Sequence, residues 1–399
     1  MQHYGSLLYQ ENKFYELHGA RPEISITTPG RIEVSGNHTD HQHGFVVAAA
    51  INIEIVGVAS KNSENIVNLY SENFGSIICD LSDLSQQDSE KNTSMALIRG
   101  IAYMFKKNRK KFGGFNAVIS SNVPVGSGLS SSAAFEILIG NLFNYLYNDY
   151  SIPPLEIANY SVYSENNYFG KPSGKMDQIA CAYGGLVGID FADVDDPVVT
   201  PLQLDLTEFG YDICIVNTYS DHADLTDDYA GIKNEMSEIA GYFGEGYLND
   251  VSEEAFYDKL PELVDNFSDR SVLRAIHFFE ETKRAKELTE AVKNRDIETV
   301  IDLINESGNS SFRYLQNIYS ASEPKHQKVT LCLALTEKIL GNCRYASRIH
   351  GGGFGGTILV ILPDNMLSYY RNEMKQYTGK DCVIPVRIRP QGSVINKID

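Results

Sequence analysis

The chain has 399 residues, a formal net charge of −18, 43% hydrophobic residues and 22% charged residues. This is the composition of an ordinary globular protein, the length exceeds what a single core normally serves, so two domains are expected, and the acidic balance with no basic face speaks against a nucleic-acid partner. No apolar run approaches the ~18–20 residues of a membrane helix, and MQHYGSLLYQENKFYELHG (1–19) lacks the basic and apolar regions of a secretory signal, so a soluble, cytoplasmic protein with no membrane partner is expected.

In chain order, ISITTPGRIEVSG (24–36) and VVAAAINIEIVGVAS (46–60) are rich in β-branched residues and read as strands. FNAVISSNVP (115–124) alternates, stops at a proline and reads as a third. SSSAAFEILIGNLFNYLYND (130–149) has helical apolar spacing and opens on serines, which favour helix N-caps. PPLEIANYSVYSENNYFG (153–170) reads as a helix with proline at its start. A second region opens with the buried-strand pattern YDICIVNT (211–218). Helix-like segments at 227–243 and 277–296, a strand at 356–363 and a final strand at VIPVRIR (383–389) follow. Grouped strands and helices predict an α+β fold, divided into domains 1–205 and 206–399. The six cysteines are scattered without a CxxC pair, as expected of reduced core thiols.

Three segments carry chemistry. PVGSGLSSSAA (124–134) runs from a strand through a glycine turn into a helix, an arrangement that offers free N–H groups and the positive helix end to a phosphate. It lacks the GK[ST] of a P-loop, and Ser131 stands where a dinucleotide fingerprint needs its third glycine. HGGGFGG (350–356) contains a formal GxGxxG but leads into a strand, which removes the dinucleotide reading and leaves a loop suited to close backbone approach. PGRIEVSGNHTDHQHG (29–44) packs Arg31, His38 and Asp40 beside a strand; the spacing of His38, Asp40, His41 and His43 matches no familiar zinc pattern.

Taken in order, these segments resemble the three motifs of the GHMP kinase superfamily, and of its galactokinase branch in particular. GKMDQI (174–179) resembles the stretch that carries that branch's catalytic aspartate. The resemblance implies a ribosomal-protein-S5-like N-terminal domain, a ferredoxin-like C-terminal domain and an active site between them. It implies transfer of the γ-phosphate of ATP, with Mg2+, to the C1 hydroxyl of a small sugar, galactose. It casts Asp177 as the group facing the attacking hydroxyl and Arg31 as its partner toward the γ-phosphate. Ser132 and Glu165 become the magnesium ligands. Asn37, His38, Asp40, Gly174 and Tyr229 contact the sugar. Pro124, Gly126, Ser127, Gly128, Leu129, Ser130, Ser131, Ser132 and Ala133 hold ATP.

Three positions depart from the pattern. Asn37 replaces the usual glutamate of the sugar site, which keeps galacturonate or N-acetylgalactosamine open as alternative substrates. Lys175 stands where an apolar residue is common, either adding positive potential near the phosphates or facing solvent. The aromatic pair usual near the nucleotide base is absent from SMALIRGIAYMF (94–105), and the chain has no tryptophan. A non-catalytic sensor of sugar and ATP is a further alternative, opposed by the presence of Arg31, Ser132, Glu165 and Asp177.

Overall fold

The computed structural model describes residues 7–124, 128–171, 173–220 and 225–398. The phosphate-loop residues Gly126 and Ser127 lie outside them. Two sheets organise the rest. The first is built from β1 (Ile24–Ser35), β2 (Phe45–Lys61), β3 (Ile66–Ser71), β4 (Gly75–Asp80), β5 (Phe115–Ser121), β6 (Leu186–Asp190) and β7 (Val198–Leu202). The second contains β8 (Tyr211–Asn217), β9 (Ala346–Ile349), β10 (Thr357–Pro363) and β11 (Val383–Val386); β12 (Val394–Lys397) returns to the first sheet beside β1. Twelve helices are described: α1 (Leu7–His18), α2 (Ser94–Lys107), α3 (Ser131–Asn148), α4 (Pro154–Ser164), α5 (Met176–Tyr183), α6 (Thr226–Tyr242), α7 (Glu253–Asp258), α8 (Leu260–Asn266), α9 (Asp269–Lys293), α10 (Ile297–Ser310), α11 (Lys328–Leu340) and α12 (Leu367–Thr378).

The first sheet runs β12-β1-β2-β5-β3-β4, with β6 on β2 and β7 on β6. Its pairings are antiparallel except β3 with β5. β2 serves two neighbours on one edge, with Phe45–Ala49 against β6 and Ile55–Lys61 against β5. β1 is buried along nearly its whole length, although its apolar residues Ile24, Ile26, Ile32 and Val34 alternate with polar ones. The second sheet has the order β11-β8-β10-β9, all antiparallel. With α11 and α12 packed on it, it forms the β-α-β-β-α-β pattern of a ferredoxin-like layer. Helices α6 to α9 build a separate apolar cluster around Ile232, Phe256, Leu263 and Phe278. The far end of α9 and α10 join the core of the first sheet through Leu288, Val292, Val300 and Ile304.

The proposed boundary at 205 falls between β7 and β8, yet α9, α10 and β12 cross back over it. VIPVRIR is not the final strand; it ends as β11 at Val386, and β12 follows. All cysteines except Cys343 are buried, and none is paired.

Candidate active site

The site begins with an irregularity in β1. The register with β2 shifts between Pro29 and Arg31, a bulge that re-aims side chains. A Cβ on Gly30 would lie 2.8 Å from the Leu129 carbonyl, so only glycine lets the phosphate loop approach this strand. The Arg31 N–H donates to that carbonyl at 3.3 Å. The buried Arg31 guanidinium then faces Asp177 at the start of α5. Nε and Nη2 both reach Asp177 Oδ1 at 2.8 Å, and Nη1 donates to the Gly128 carbonyl. The other carboxylate oxygen, Oδ2, accepts from the Ser130 hydroxyl. Burial opposes ionisation of Asp177, but the Arg31 charge and the Ser130 hydrogen bond outweigh it and hold the carboxyl below its ordinary range.

The serines were expected to cap α3 with their side chains, and Ser130 does not. It occupies the N-cap in the left-handed region, φ +59°, with its hydroxyl turned to Asp177. The first N–H groups of α3 therefore have no side-chain cap and remain available to an anion. Ser132, in the first turn, donates to Glu165 Oε1 at 3.0 Å. Glu165 is buried; its Oε2 accepts from Ser173 Oγ and from Gln178 Nε2 at 2.8 Å, and Lys171 Nζ lies 3.1 Å from Oε1. Gln178 also donates to Glu136, whose carboxyl is pushed well above the ordinary range by burial and by the Glu165 charge.

On the other side of Asp177, a Cβ on Gly174 would lie 1.8 Å from Asp40 Oδ2, so the backbone of 174 packs directly on that carboxylate. Burial and the nearby Asp177 charge push Asp40 up to about 6. His38 and Tyr229 converge on the glycine loop. His38 Nε2 lies 2.9 Å from the Gly352 carbonyl, and Tyr229 Oη donates to the Gly353 carbonyl at 3.2 Å. Burial lowers His38 to about 4, so the ring is neutral at pH 7. A carbonyl only accepts; Nε2 of His38 therefore carries the proton, and Nδ1 accepts from His41 Nε2 at 3.2 Å. Burial raises Tyr229 to about 12.

Asn37 is fully buried. Its Nδ2 donates to Glu33 Oε2 at 3.1 Å and to the Gly351 carbonyl at 2.7 Å, while Oδ1 accepts from Ser311 at 3.2 Å and Asn317 at 2.8 Å. With both donors and its acceptor engaged, the amide ties the first motif to the glycine loop. Lys175, half-buried, donates its ammonium to Asn159 Oδ1 at 2.9 Å and the Val194 carbonyl at 2.6 Å. Motif reading named no role for Lys171, Gln178 or Asn317, and gave Ser130 to ATP without its bond to Asp177. Lys171 and Gln178 had a signal, since both lie within GKPSGKMDQ (170–178) around Asp177; Asn317 had none.

Arg31, Asp177, Ser130, Ser132, Glu165, Asp40, Gly174, His38 and Tyr229 thus line one region between β1, α3, α5 and the glycine loop. Its chemistry is an ionised carboxylate fixed against a guanidinium, beside an uncapped helix N-terminus: a hydroxyl acceptor next to an anion cradle.

Comparison with known proteins places this geometry. The family model for the GHMP kinases N terminal domain matches residues 96–185, and that for the galactokinase galactose-binding signature matches 12–61. A Haemophilus influenzae galactokinase is 31% identical over 363 residues, 90% of each chain. One from Actinobacillus pleuropneumoniae is 30% identical over 361 residues, again 90% of each. The crystal structure of Lactococcus lactis galactokinase complexed with galactose superposes with a TM-score of 0.83 at 27% identity, covering 97% of this chain and 99% of that one. Methanococcus jannaschii mevalonate kinase, at 16% identity and a TM-score of 0.64, shares the fold. The likeness runs through both sheets and through each segment that meets at Asp177, and the chain belongs to the galactokinase family of the GHMP kinases.

Proposed function

We propose that this chain transfers the γ-phosphate of ATP to the C1 hydroxyl of galactose, giving galactose 1-phosphate and ADP. The observation that carries the reading is Asp177, ionised and fixed by Arg31 and Ser130 at the mouth of the phosphate loop. The sugar O1–H donates to Asp177. O1 bonds to the γ-phosphorus as the bridging oxygen leaves with ADP, and the proton passes to the carboxylate. A carboxylate held below its ordinary pKa is a weak base, so it orients the hydroxyl first and takes the proton late, in keeping with a loose phosphoryl-transfer transition state. Arg31 keeps Asp177 charged and offsets charge on the transferred group.

Ser132 and Glu165 suit magnesium. Both offer hard oxygen ligands and lie within hydrogen-bond distance of one another. They would hold the ion, which would supply charge neutralisation to the phosphates of ATP. Asp40 and Gly174 form the sugar side with His38 and Tyr229, whose polar ends also hold the glycine loop. Asn37, engaged inside the protein, supplies no reason to prefer a uronic acid.

An ADP-release assay with galactose, glucose, galacturonate and N-acetylgalactosamine tests the assignment. The kcat/KM for galactose should exceed that for glucose by at least about two orders of magnitude, because buried polar groups left unmatched reject the epimer. Galacturonate as the best substrate would overturn the sugar, and no turnover with any sugar would overturn the enzyme.

Asp40 gives a pH signature. With its pKa raised to about 6, it loses its charge as pH falls through that value. An ionised acceptor for sugar hydroxyls is then lost, so KM for galactose should rise several-fold between pH 7.5 and 5.5, and Asp40→Asn should flatten that profile. A wild-type KM independent of pH over this range excludes the role.

A further inference from the structure

We propose that Lys171 is a further catalytic residue, a nucleotide-contacting cation that rests on Glu165 in the free enzyme and binds the terminal phosphates of ATP when nucleotide and metal arrive. The proposal rests on the reading of Ser132 and Glu165 as the metal-binding end of the site.

Gly170, at φ +92°, ends the turn after α4 and reverses the chain, and the Lys171 N–H closes that turn on the Glu165 carbonyl at 3.1 Å. The side chain folds back so that Nζ lies 3.1 Å from Glu165 Oε1, the same oxygen that accepts from Ser132. The lysine side chain is 54% exposed, while that of Glu165 is 2% exposed. An exposed cation therefore sits on a buried, hydrogen-bonded anion beside the uncapped start of α3. An ammonium has three donors, and among the described residues Glu165 is the one acceptor it meets.

The neighbouring cations are committed elsewhere. Arg31 holds Asp177 and the Gly128 carbonyl, and Lys175 is turned to Asn159 and Val194. In a chain of net charge −18, the polyphosphate needs local positive charge, and Lys171 is the cation of this group with donors to give. A divalent cation and an ammonium on Oε1 repel one another, so an ion held by Glu165 would weaken the lysine's hold there. The phosphate oxygens on that ion are the nearest new acceptors, and a flexible point charge suits them.

Nucleotide binding, measured by calorimetry with ATP and with MgATP, tests this. K171M should weaken MgATP binding about tenfold or more, the usual consequence of losing a hydrogen bond between charged groups. K171R should recover most of it, galactose KM should stay within about twofold, and the loss should persist in an E165Q background. A K171M dissociation constant within twofold of wild type overturns the proposal. So does a loss that vanishes in E165Q, which would mean the lysine acts only by holding the glutamate. The underlying reading has its own readout, the magnesium requirement of E165Q. If that requirement is unchanged, Glu165 leaves the metal site, and the K171M affinity still decides for or against the lysine.

Discussion

Replacing Asp177 with Asn should lower kcat by about 10²–10⁴-fold while ATP still binds, the range expected when a positioned proton acceptor is lost. The substitution keeps the shape of the side chain, so an effect of that size reports on charge. An amide nitrogen turned toward O1 cannot take its proton, and an amide oxygen there is a far weaker base. The Arg31 guanidinium, buried against Asp177, also loses its counter-charge, which changes the field at the γ-phosphate. Single-turnover measurement with saturating galactose and ATP separates this from binding. A mutant that keeps more than about half of wild-type turnover would remove Asp177 from the role. Melting temperature should be followed in parallel, because an unpaired Arg31 also lowers stability.

Arg348→Met should destabilise the fold by about 3–5 kcal/mol, the penalty for breaking a buried ion pair from one side. Arg348 is fully buried. Its Nη2 lies 2.6 Å from Glu33 Oε1, Nη1 donates to the Val34 carbonyl at 2.7 Å, and Nε donates to the Ile349 carbonyl at 2.7 Å. Glu281 Oε1 lies 4.0 Å from Nη1 and accepts from the Gly36 N–H at 2.7 Å. One guanidinium therefore joins β1, β9 and α9, elements from both sides of the proposed boundary. Methionine fills the volume but leaves the buried Glu33 without its cation, while Glu281 keeps Arg284. Urea unfolding reads the loss directly, and a change below about 1 kcal/mol would show that the network relaxes around the gap. Kinetics of the surviving folded fraction should show a raised galactose KM, since Glu33 also holds Asn37, and Asn37 holds the glycine loop.

The elements legible in the sequence were those whose signal is local. β1, β2, β5, β8 and β10 are β-branched runs bounded by glycine or proline, α3 and α4 carry helical apolar spacing with a serine or proline start, and α6 reads as a helix from its spacing alone. The β3–β4 hairpin at 66–80 and the β6–β7 pair were not read, because their strands are only five or six residues long. β12 was missed altogether: VINK has little apolar content, and its strand exists because β1 offers a free edge to it.

By itself the sequence determined the family and pointed to Arg31, Asp177, Ser132 and Glu165 as its candidate site, because glycine spacing and charged residues at fixed offsets are properties of the chain alone. Only the tertiary structure decided where polar side chains point. Asn37 turns inward because Asn317, 280 residues away, and the Gly351 carbonyl meet it there. Ser130 leaves its helix because Asp177 lies within reach. Lys175 faces Asn159 and Val194 while Lys171 takes the place beside the phosphate loop. A buried polar group must find a partner, and which partner is near is set by packing between segments far apart in the chain.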